Sequence, residues 1–258
     1  MIKEFLHYRE LLYMLTWKEI KIRYKQSVMG FLWAIFMPAL IVGAGILMKL
    51  GFSFSTGGHI TVTDVVSVAA KGVAWAFFAG AVRFGANSLI ANHNLLTKIY
   101  FPREILPIAN VLANFFDFVI AALFVTVVMA IVGAGASIQL LWLPLIVLVL
   151  VMISASFALL LSCANLFFRD VKYIIEVVLT YGILFTPVFY SAKMFGKWGP
   201  LLLLNPVGAA LEAINDVVVL HRSPDPLWLG YATLFAVFGL IVSWTIFEKT
   251  EPLFAQEI

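Results

Sequence analysis

The chain alternates between long apolar segments and short polar ones. A helix needs about 20 residues to cross the hydrocarbon core of a bilayer, and six apolar runs approach or exceed that length. An outer-membrane barrel would instead show segments of about 10 residues with alternating hydrophobicity. We therefore predict an all-α integral membrane protein. Its six spans are residues 31–50, 65–88, 105–132, 141–167, 174–190 and 228–247.

The segment 191–226 does not fit this pattern. Its two apolar stretches are too short to cross a membrane, and Glu212 and Asp216 interrupt the second one. Short helices of this kind occur at membrane depth where protein or water satisfies the freed backbone groups. We predict re-entrant half-helices between spans five and six.

Residues 1–25 carry six basic side chains and read as a helix lying in the headgroup plane. Two sets of side chains recur at helical spacing, which we interpret as a basic face opposite an apolar one. They are Lys18, Lys21 and Lys25 on one side and Trp17, Ile20 and Tyr24 on the other. A solvated basic tail that fixes orientation, or a docking surface for a partner, would leave the same pattern.

A polar island, NHNLLTKIYFPREILP, occupies residues 92–107. Pro102 prevents a helix from running through it, and Pro107 suits a first helical turn, which tolerates a missing N–H. We predict a short helix, a break and a restart. On topology alone, an ordinary connecting loop is the favoured interpretation of this segment.

Polar and small residues also occur inside the predicted spans. A polar stripe in span three is formed by Asn110, Asn114 and Asp117. Exposing these side chains to lipid would cost free energy. We expect Asp117 to bond to a neighbouring helix, and a proton or ion site is the alternative. Ala76 and Gly80 in span two make a small-xxx-small step that suits close helix contact.

Composition agrees with the membrane class and limits what else the chain holds. Hydrophobic residues make up 63%, charged residues 12%, and the mean hydropathy is +1.02; soluble domains carry about 25% charged residues. Six spans leave no room for an appended ATPase or hydrolase. The single cysteine, Cys163, cannot form an intrachain disulfide, and the charged N-terminus does not resemble a cleaved signal peptide.

Charge distribution predicts the orientation. Twelve of the 17 lysine and arginine residues fall on one side of a six-span topology, with Lys71 counted among the five on the other side. By the positive-inside rule both termini are cytoplasmic.

Several kinds of chemistry have no motif here. The sequence contains no phosphate-binding loop, no HExxH, no paired cysteine motif and no nucleophile elbow. We expect no catalytic residue, no metal site, no cofactor in this chain and no nucleic-acid partner. No span carries two acidic residues and no internal repeat is visible, which disfavours an ion-coupled carrier. Without an internal pseudo-axis, a pathway needs a second copy, so we expect a homodimer with two-fold symmetry.

An ordered series of short motifs resembles the membrane subunits of ABC-2 type polysaccharide exporters, which carry O-antigen, capsule or teichoic acid glycans. The series covers nearly the whole chain. It consists of Arg23-Tyr24, Gly30-Phe-Leu-Trp33 with Pro38, Leu96-Thr-Lys98, Phe101-Pro102-Arg103-Glu104 with Pro107, Phe167-Phe-Arg169-Asp170, Phe185-Thr-Pro187 and Asn205-Pro206.

The resemblance implies a permease in a bacterial inner membrane that works with two copies of a separate ABC ATPase. That partner would bind ATP and magnesium, and the cargo would be an undecaprenyl-diphosphate-linked glycan. The N-terminal helix and the island 92–107 would contact the ATPase, and 191–226 would form the outer gate. The coupling residues expected from the resemblance are Asn94, Lys98, Phe101, Pro102, Arg103 and Glu104.

Two further groups of residues follow from the resemblance and from simple chemistry. Sugar rings pack on aromatic rings, so Tyr181, Phe185, Phe189 and Tyr190 are candidates for the glycan path, the first three as one ridge. Helix packing or lipid contact is the alternative. Basic residues attract a lipid diphosphate, and the candidates are Arg23, Arg83, Arg169 and Lys172, whose alternative role is to anchor anionic lipid.

Two other functions remain compatible with the sequence. A related ABC-2 permease exports a drug or a simple lipid, and its channel would be too narrow or too apolar for sugar. An ion-coupled flippase would need a carboxylate linked to proton transfer, for which Asp117 is the only deep candidate.

Overall fold

The computed structural model describes residues 8–25, 30–56, 61–98, 101–133 and 135–254. Eleven α-helices make up most of this part of the chain, and short 3-10 segments connect some of them. The helices are α1 Arg9–Tyr24, α2 Trp33–Thr56, α3 Val62–Ala86, α4 Ser88–Ala91, α5 His93–Lys98, α6 Ile105–Val132, α7 Leu143–Phe167, α8 Val171–Phe185, α9 Gly199–Leu203, α10 Pro206–Val218 and α11 Pro226–Thr250.

Five helices are long and apolar enough to cross a membrane. They are α2, α3, α6, α7 and α11. The strongest packing joins α3 to α6 and α7, and α7 to α11, so α3 and α7 form the centre of the bundle. The all-helical membrane class predicted from the sequence is confirmed for the described residues.

The fifth predicted span, 174–190, is not found as a spanning helix. Helix α8 ends at Phe185, because Pro187 removes an N–H and restricts Thr186 to extended backbone with φ −106° and ψ 139°. Fifteen residues give about 22 Å, less than the hydrocarbon thickness of about 30 Å.

The two ends of the bundle are different. We call the end that carries α1, α4 and α5 the α1 end, and the end that carries α9 and α10 the α10 end. The segment 191–226, predicted as half-helices, contains a 3-10 segment Ala192–Trp198, the five-residue α9 and the 13-residue α10. None is long enough to cross a membrane. Their depth in a bilayer stays a prediction.

The helix–break–restart predicted for the island 92–107 is confirmed. Helix α5 ends at Lys98, Phe101 and Pro102 are non-helical, and α6 restarts at Ile105 with Pro107 in its first turn.

Close contact at Gly80 is also confirmed. A Cβ atom placed there would lie 2.6 Å from Asn114 Oδ1. Helices α3 and α6 therefore approach each other more closely than larger residues allow.

The faces of α1 differ from the prediction. Residues one position apart on a helix point about 100° apart, so the lysine set and the Trp17 set are adjacent and not opposite. The Lys21 ammonium lies 5.6 Å from the centroid of the Trp17 ring. Leu15 and Ile20 face the bundle, whereas Trp17 is 42% exposed.

The placement of Lys71 among the five basic residues on the outer side of the topology is wrong, because Lys71 is buried inside a helix. It lies nine residues into α3 with 1% of its surface exposed. A rise of 1.5 Å per residue puts it about 14 Å from the start of the helix.

Candidate functional site

The island 92–107 packs against the α1 end of the bundle through an apolar cluster. Phe101, which the sequence placed among the coupling residues, is 6% exposed and lies inside this cluster. The members come from α1, α4, α5, α6, α7 and α11, together with the C-terminal Phe254. They include Leu15, Leu89, Leu96, Phe101, Ile105, Leu106, Leu159, Trp244, Phe247 and Phe254. The loop is therefore part of the folded core at this end.

Arg103 fastens the loop to the C-terminal end of α11. Its Nη1 donates to the carbonyl oxygen of Glu251 at 3.2 Å, and its Nε lies 3.9 Å from the Glu251 carboxylate. The guanidinium carbon lies 5.7 Å from the centroid of the Phe254 ring. Glu104, the next residue, is 7% exposed. Both side chains thus support the loop from inside.

The outward surface of the island is formed by α5. His93, Asn94 and Thr97 are exposed, whereas Pro102 is half-buried. The side chain of Lys98 lies outside the described residues. Of the six residues predicted for coupling, Asn94 is exposed at this surface.

Helix α1 is bonded directly to the island. The Lys18 ammonium donates to Asn92 Oδ1 at 2.6 Å, and Asn92 Nδ2 donates to the carbonyl oxygen of Ser88 at 2.9 Å. Asn92 therefore links α1 to the turn between α4 and α5. The sequence did not single out Lys18 for this contact.

The polar stripe of α6 receives the end of α1. Arg23 Nη1 donates to Asn114 Oδ1 at 3.0 Å and to Asp117 Oδ2 at 2.7 Å, and the Tyr24 hydroxyl donates to Asp117 Oδ1. Burial and the neighbouring Asp117 carboxylate raise the pKa of the Tyr24 hydroxyl. The expectation that Asp117 bonds to a neighbouring helix is confirmed, and that helix is α1.

The four basic residues proposed for a lipid diphosphate do not form one cluster. Arg83 and Lys172 line the same pocket of about 350 Å³ between the ends of α3 and α7 and the start of α8. Arg23 lines a second cavity, also about 350 Å³, and Phe84 borders both. The Arg23 guanidinium lies 4.2 Å from the Phe84 ring centroid. Arg169 is exposed and lines neither cavity.

The pocket with Arg83 and Lys172 is open and carries charged side chains. Arg83 Nε donates to Glu176 Oε1 at 2.7 Å, and both side chains are nearly half exposed. Asn165, 1% exposed, also lines this pocket and donates from Nδ2 to the carbonyl oxygen of Ala86 at 3.0 Å. Its Oδ1 atom is buried without a hydrogen-bond partner among the described residues.

The four aromatic residues proposed for the glycan path separate into two groups. Tyr181 and Phe185 are 59% and 72% exposed on the same face of α8. Phe189 follows the break and is 8% exposed, packed against the position of Gly45 in α2. The Tyr190 hydroxyl donates to the carbonyl oxygen of Leu184 at 2.8 Å. The predicted ridge therefore ends at Phe185, because the helix that would have continued it ends there.

A buried ionic network joins α3 to the α10 end, and sequence reasoning missed it. The Lys71 ammonium donates to the carbonyl oxygen of Tyr190 at 2.6 Å and lies 3.5 Å from Glu212 Oε1. Glu212 also accepts from the backbone N–H of Ala192 at 3.2 Å and from the Ser191 hydroxyl at 3.3 Å. The sequence did contain one signal of this network, namely that Lys71 stands alone in an apolar run. A lysine inside a membrane-spanning segment is rare unless it is paired.

Comparison with known proteins places the chain in a family. Residues 10–219 match the ABC-2 type transporter family. An O-antigen export system permease protein RfbA from Myxococcus xanthus is 27% identical over 262 residues, covering 100% of this chain and 99% of that protein. Two proteins of the same name from Klebsiella pneumoniae are 26% identical over 250 and 253 residues, each covering 96% of this chain and 94% of the relative. Since the family match covers most of the chain, this protein belongs to the ABC-2 type transporter family.

Proposed function

We propose that the chain is the permease subunit of an ABC transporter that exports a lipid-linked O-antigen polysaccharide across a bacterial inner membrane. The observation that carries the proposal is the similarity, over nearly the full length, to three O-antigen export permeases. A homodimer of this chain would work with two copies of an ABC ATPase, which would bind ATP and magnesium.

Coupling to the ATPase fits the geometry of the α1 end. The exposed face of α5, with Asn94, is the surface offered to the partner, while Phe101, Arg103 and Glu104 hold that surface on the bundle. Movement of α5 would be transmitted to α1 through Lys18–Asn92 and from there to α6 through Arg23–Asp117. This end would face the cytoplasm, with both termini.

The lipid diphosphate would be attracted to the pocket of Arg83 and Lys172. Both cations reach the same open space, and a diphosphate can displace Glu176 from Arg83 because that ion pair is exposed and weak. Arg23 forms an ion pair with Asp117 and lies on the other side of Phe84 from this pocket. It would therefore add to the positive charge near the pocket without contacting the diphosphate.

The glycan would pass along the exposed face of α8. Tyr181 and Phe185 offer aromatic surface there, on which sugar rings can stack without a deep binding well. The segment 191–226 would form the outer gate, held to α3 by the Lys71–Glu212 network.

Transport in inverted membrane vesicles tests the proposal. The vesicles contain the chain, its ATPase and a lipid-linked polysaccharide, and the glycan on the outside is digested with a glycosidase after incubation. We expect ATP to protect a fraction of the glycan by moving it into the lumen. Vesicles without the ATPase, or with a non-hydrolysable ATP analogue, should protect none.

Two results would contradict the proposal. One is no ATP-dependent protection although both subunits are assembled. The other is ATP-dependent transport of a lipophilic drug or a simple phospholipid by the same vesicles with no movement of glycan.

A further inference from the structure

A cavity lined by both charged and apolar side chains lies at the α10 end, on the side of α10 that faces α9 and α11. Its volume is about 210 Å³. The 3-10 segment, α9, α10 and the start of α11 form its walls. The side chains that bear on its chemistry are Lys193, Glu212, Asp216, Asp225 and Trp228.

The carboxylates of the cavity are mostly neutralised by basic residues around it. Glu212 pairs with buried Lys71 at 3.5 Å. Asp216 Oδ1 accepts from Arg222 through Nε, at 3.0 Å, and through Nη2. Asp225 and Lys193, both in the lining, offset each other in formal charge. The sum over these six residues is zero, so the cavity does not favour a cation or an anion.

Hydrogen-bond capacity remains after these pairings. Asp216 is 7% exposed, and its Oδ2 atom has no hydrogen bond among the described residues. Asp225 Oδ1 accepts from the N–H of Leu227 at 3.0 Å, which leaves Oδ2 available. A carboxylate accepts hydrogen bonds from the hydroxyl groups of a ligand, and a lysine ammonium donates hydrogen bonds to ligand hydroxyl groups. The lining therefore suits a ligand rich in hydroxyl groups.

Trp228 adds an aromatic surface beside these polar groups. It is half-buried and contacts Tyr231 edge to face, with ring centroids 6.2 Å apart. An indole ring offers an apolar face on which the C–H side of a sugar ring can pack. Carboxylate acceptors next to an aromatic ring match the two sides of a pyranose.

Size limits the ligand to a small unit. A volume of about 210 Å³ holds roughly seven water molecules at about 30 Å³ each. That space fits one sugar ring and is smaller than the sites of drug-sized ligands, which start at about 300 Å³.

We propose that the cavity between α9, α10 and the start of α11 binds a single neutral sugar unit. The proposal rests on the proposed function, since an exported glycan would bring such units to this end of the protein. The site is distinct from the exposed aromatic face of α8, because none of its lining residues belongs to that helix.

Saturation-transfer NMR tests the site without transport. The full chain, assembled with its ATPase in lipid nanodiscs without nucleotide, is mixed with glucose, galactose, mannose or N-acetylglucosamine at millimolar concentration. We expect transfer to at least one of these sugars. The signal should fall by roughly fivefold or more in Trp228→Ala, because about 1 kcal/mol corresponds to that factor, and also in Asp216→Asn.

Matched variants separate binding from folding. Trp198→Ala removes an indole that is 71% exposed at the same end but outside the cavity, and it should leave the signal unchanged. Lys193→Ala changes an exposed lining residue and should weaken binding without lowering thermal stability, which covers the case in which Trp228→Ala fails to fold.

Three results would overturn the proposal. They are no transfer to any of the four sugars, equal transfer in wild type and in the folded lining variants, or displacement of a bound sugar by spermidine, which would make the cavity a cation site. These outcomes do not bear on the vesicle assay, so failure of the sugar site and failure of glycan export are distinguishable.

Discussion

Lys71 lies inside α3 with 1% of its surface exposed, and it contacts two groups at the α10 end. Its ammonium reaches the Tyr190 carbonyl and Glu212, and Glu212 reaches the Ser191 hydroxyl and the Ala192 N–H. Burial of a charge is costly unless it is paired and hydrogen-bonded. These bonds are the reason that a lysine is tolerated at this depth.

Replacing Lys71 by Met should be strongly destabilising. The change leaves the buried Glu212 carboxylate without its ion partner, which costs about 3–5 kcal/mol in the free energy of unfolding. The double variant Lys71→Met/Glu212→Gln should lose less than the sum of the single changes, because the two residues are in contact. Unfolding in mixed micelles with increasing SDS measures both effects.

The Lys49–Asp64 pair is the matched control. The Lys49 ammonium lies 2.6 Å from Asp64 Oδ1, closer than Lys71 lies to Glu212. The side chains of Lys49 and Asp64 are, however, 22% and 40% exposed. Lys49→Met should therefore cost at most about 1 kcal/mol. Equal losses for Lys49→Met and Lys71→Met would show that burial does not determine the strength of the Lys71 network.

At the scale of elements, the contacts of α2 and α8 decide which surfaces the bundle leaves open. Helix α2 touches α3 closely at Gly45, where Val68 and Phe189 leave no room for a side chain. Helix α8 packs Ile175 and Leu179 against the bundle and exposes a second apolar face, which includes Tyr181 and Phe185. Both helices thus have one face packed and one face free.

Gly45→Ala should weaken the packing of α2 on α3. The added Cβ would meet Val68 and would lie 2.7 Å from Phe189 Cδ1, and overpacking of this kind costs about 1–3 kcal/mol. That cost exceeds the helix-propensity gain of about 1 kcal/mol for Gly to Ala, so the thermal midpoint should fall. Gly43→Ala meets nothing within 4 Å and should keep or raise the midpoint. A higher midpoint for Gly45→Ala would contradict the contact.

The exposed aromatic pair of α8 should matter for export and not for folding. Tyr181→Ala/Phe185→Ala should lower ATP-dependent glycan protection in vesicles while leaving protein abundance and basal ATPase activity intact, because both side chains are largely exposed. Leu234→Ala/Phe238→Ala on α11, 73% and 69% exposed, serves as control and should leave export unchanged. Phe189→Ala should instead lower stability. Normal export by the α8 variant would contradict a role of Tyr181 and Phe185 in the glycan path and would favour lipid contact or helix packing.

At the scale of the whole molecule, α8 is an incomplete membrane element in one copy of the chain. It is about 22 Å long and ends in a non-helical turn, 186–190. Irregular backbone at membrane depth occurs only against protein or a water-filled cavity. The chain itself covers this turn, since Val188 and Phe189 are buried. The faces of α2 and α8 are free, and the homodimer we propose would place a second copy against them.

Photocrosslinking tests this arrangement. A photoreactive amino acid at Leu47 in α2 or at Val178 in α8, 71% and 60% exposed, should give a covalent product of twice the chain mass in nanodiscs. The same amino acid at Leu234 in α11, 73% exposed, should react with lipid only. Crosslinks from Leu234 without any from Leu47 and Val178 would place the interface on α11 instead.

The sequence by itself determined the membrane class, five of its six predicted spans and the break in the island 92–107. Apolar runs of spanning length and prolines act locally, through hydrophobic burial and a missing N–H, so their effect can be read without tertiary contacts. The resemblance of its motifs to ABC-2 permeases, carried by residues such as Pro102 and Arg103, was likewise available from sequence order alone.

Only the tertiary structure decided which side chains act together. It showed that Arg103 and Glu104 face inward. It also showed that Arg23 forms an ion pair with Asp117 and does not share a pocket with Arg83. Phe189 is buried and does not extend the exposed aromatic face of α8. The tertiary structure also paired Lys71 with Glu212, 141 residues away along the chain. These outcomes depend on how helices from distant parts of the chain pack, because an ion pair or a buried ring is defined by its neighbours in space and not by its neighbours in sequence.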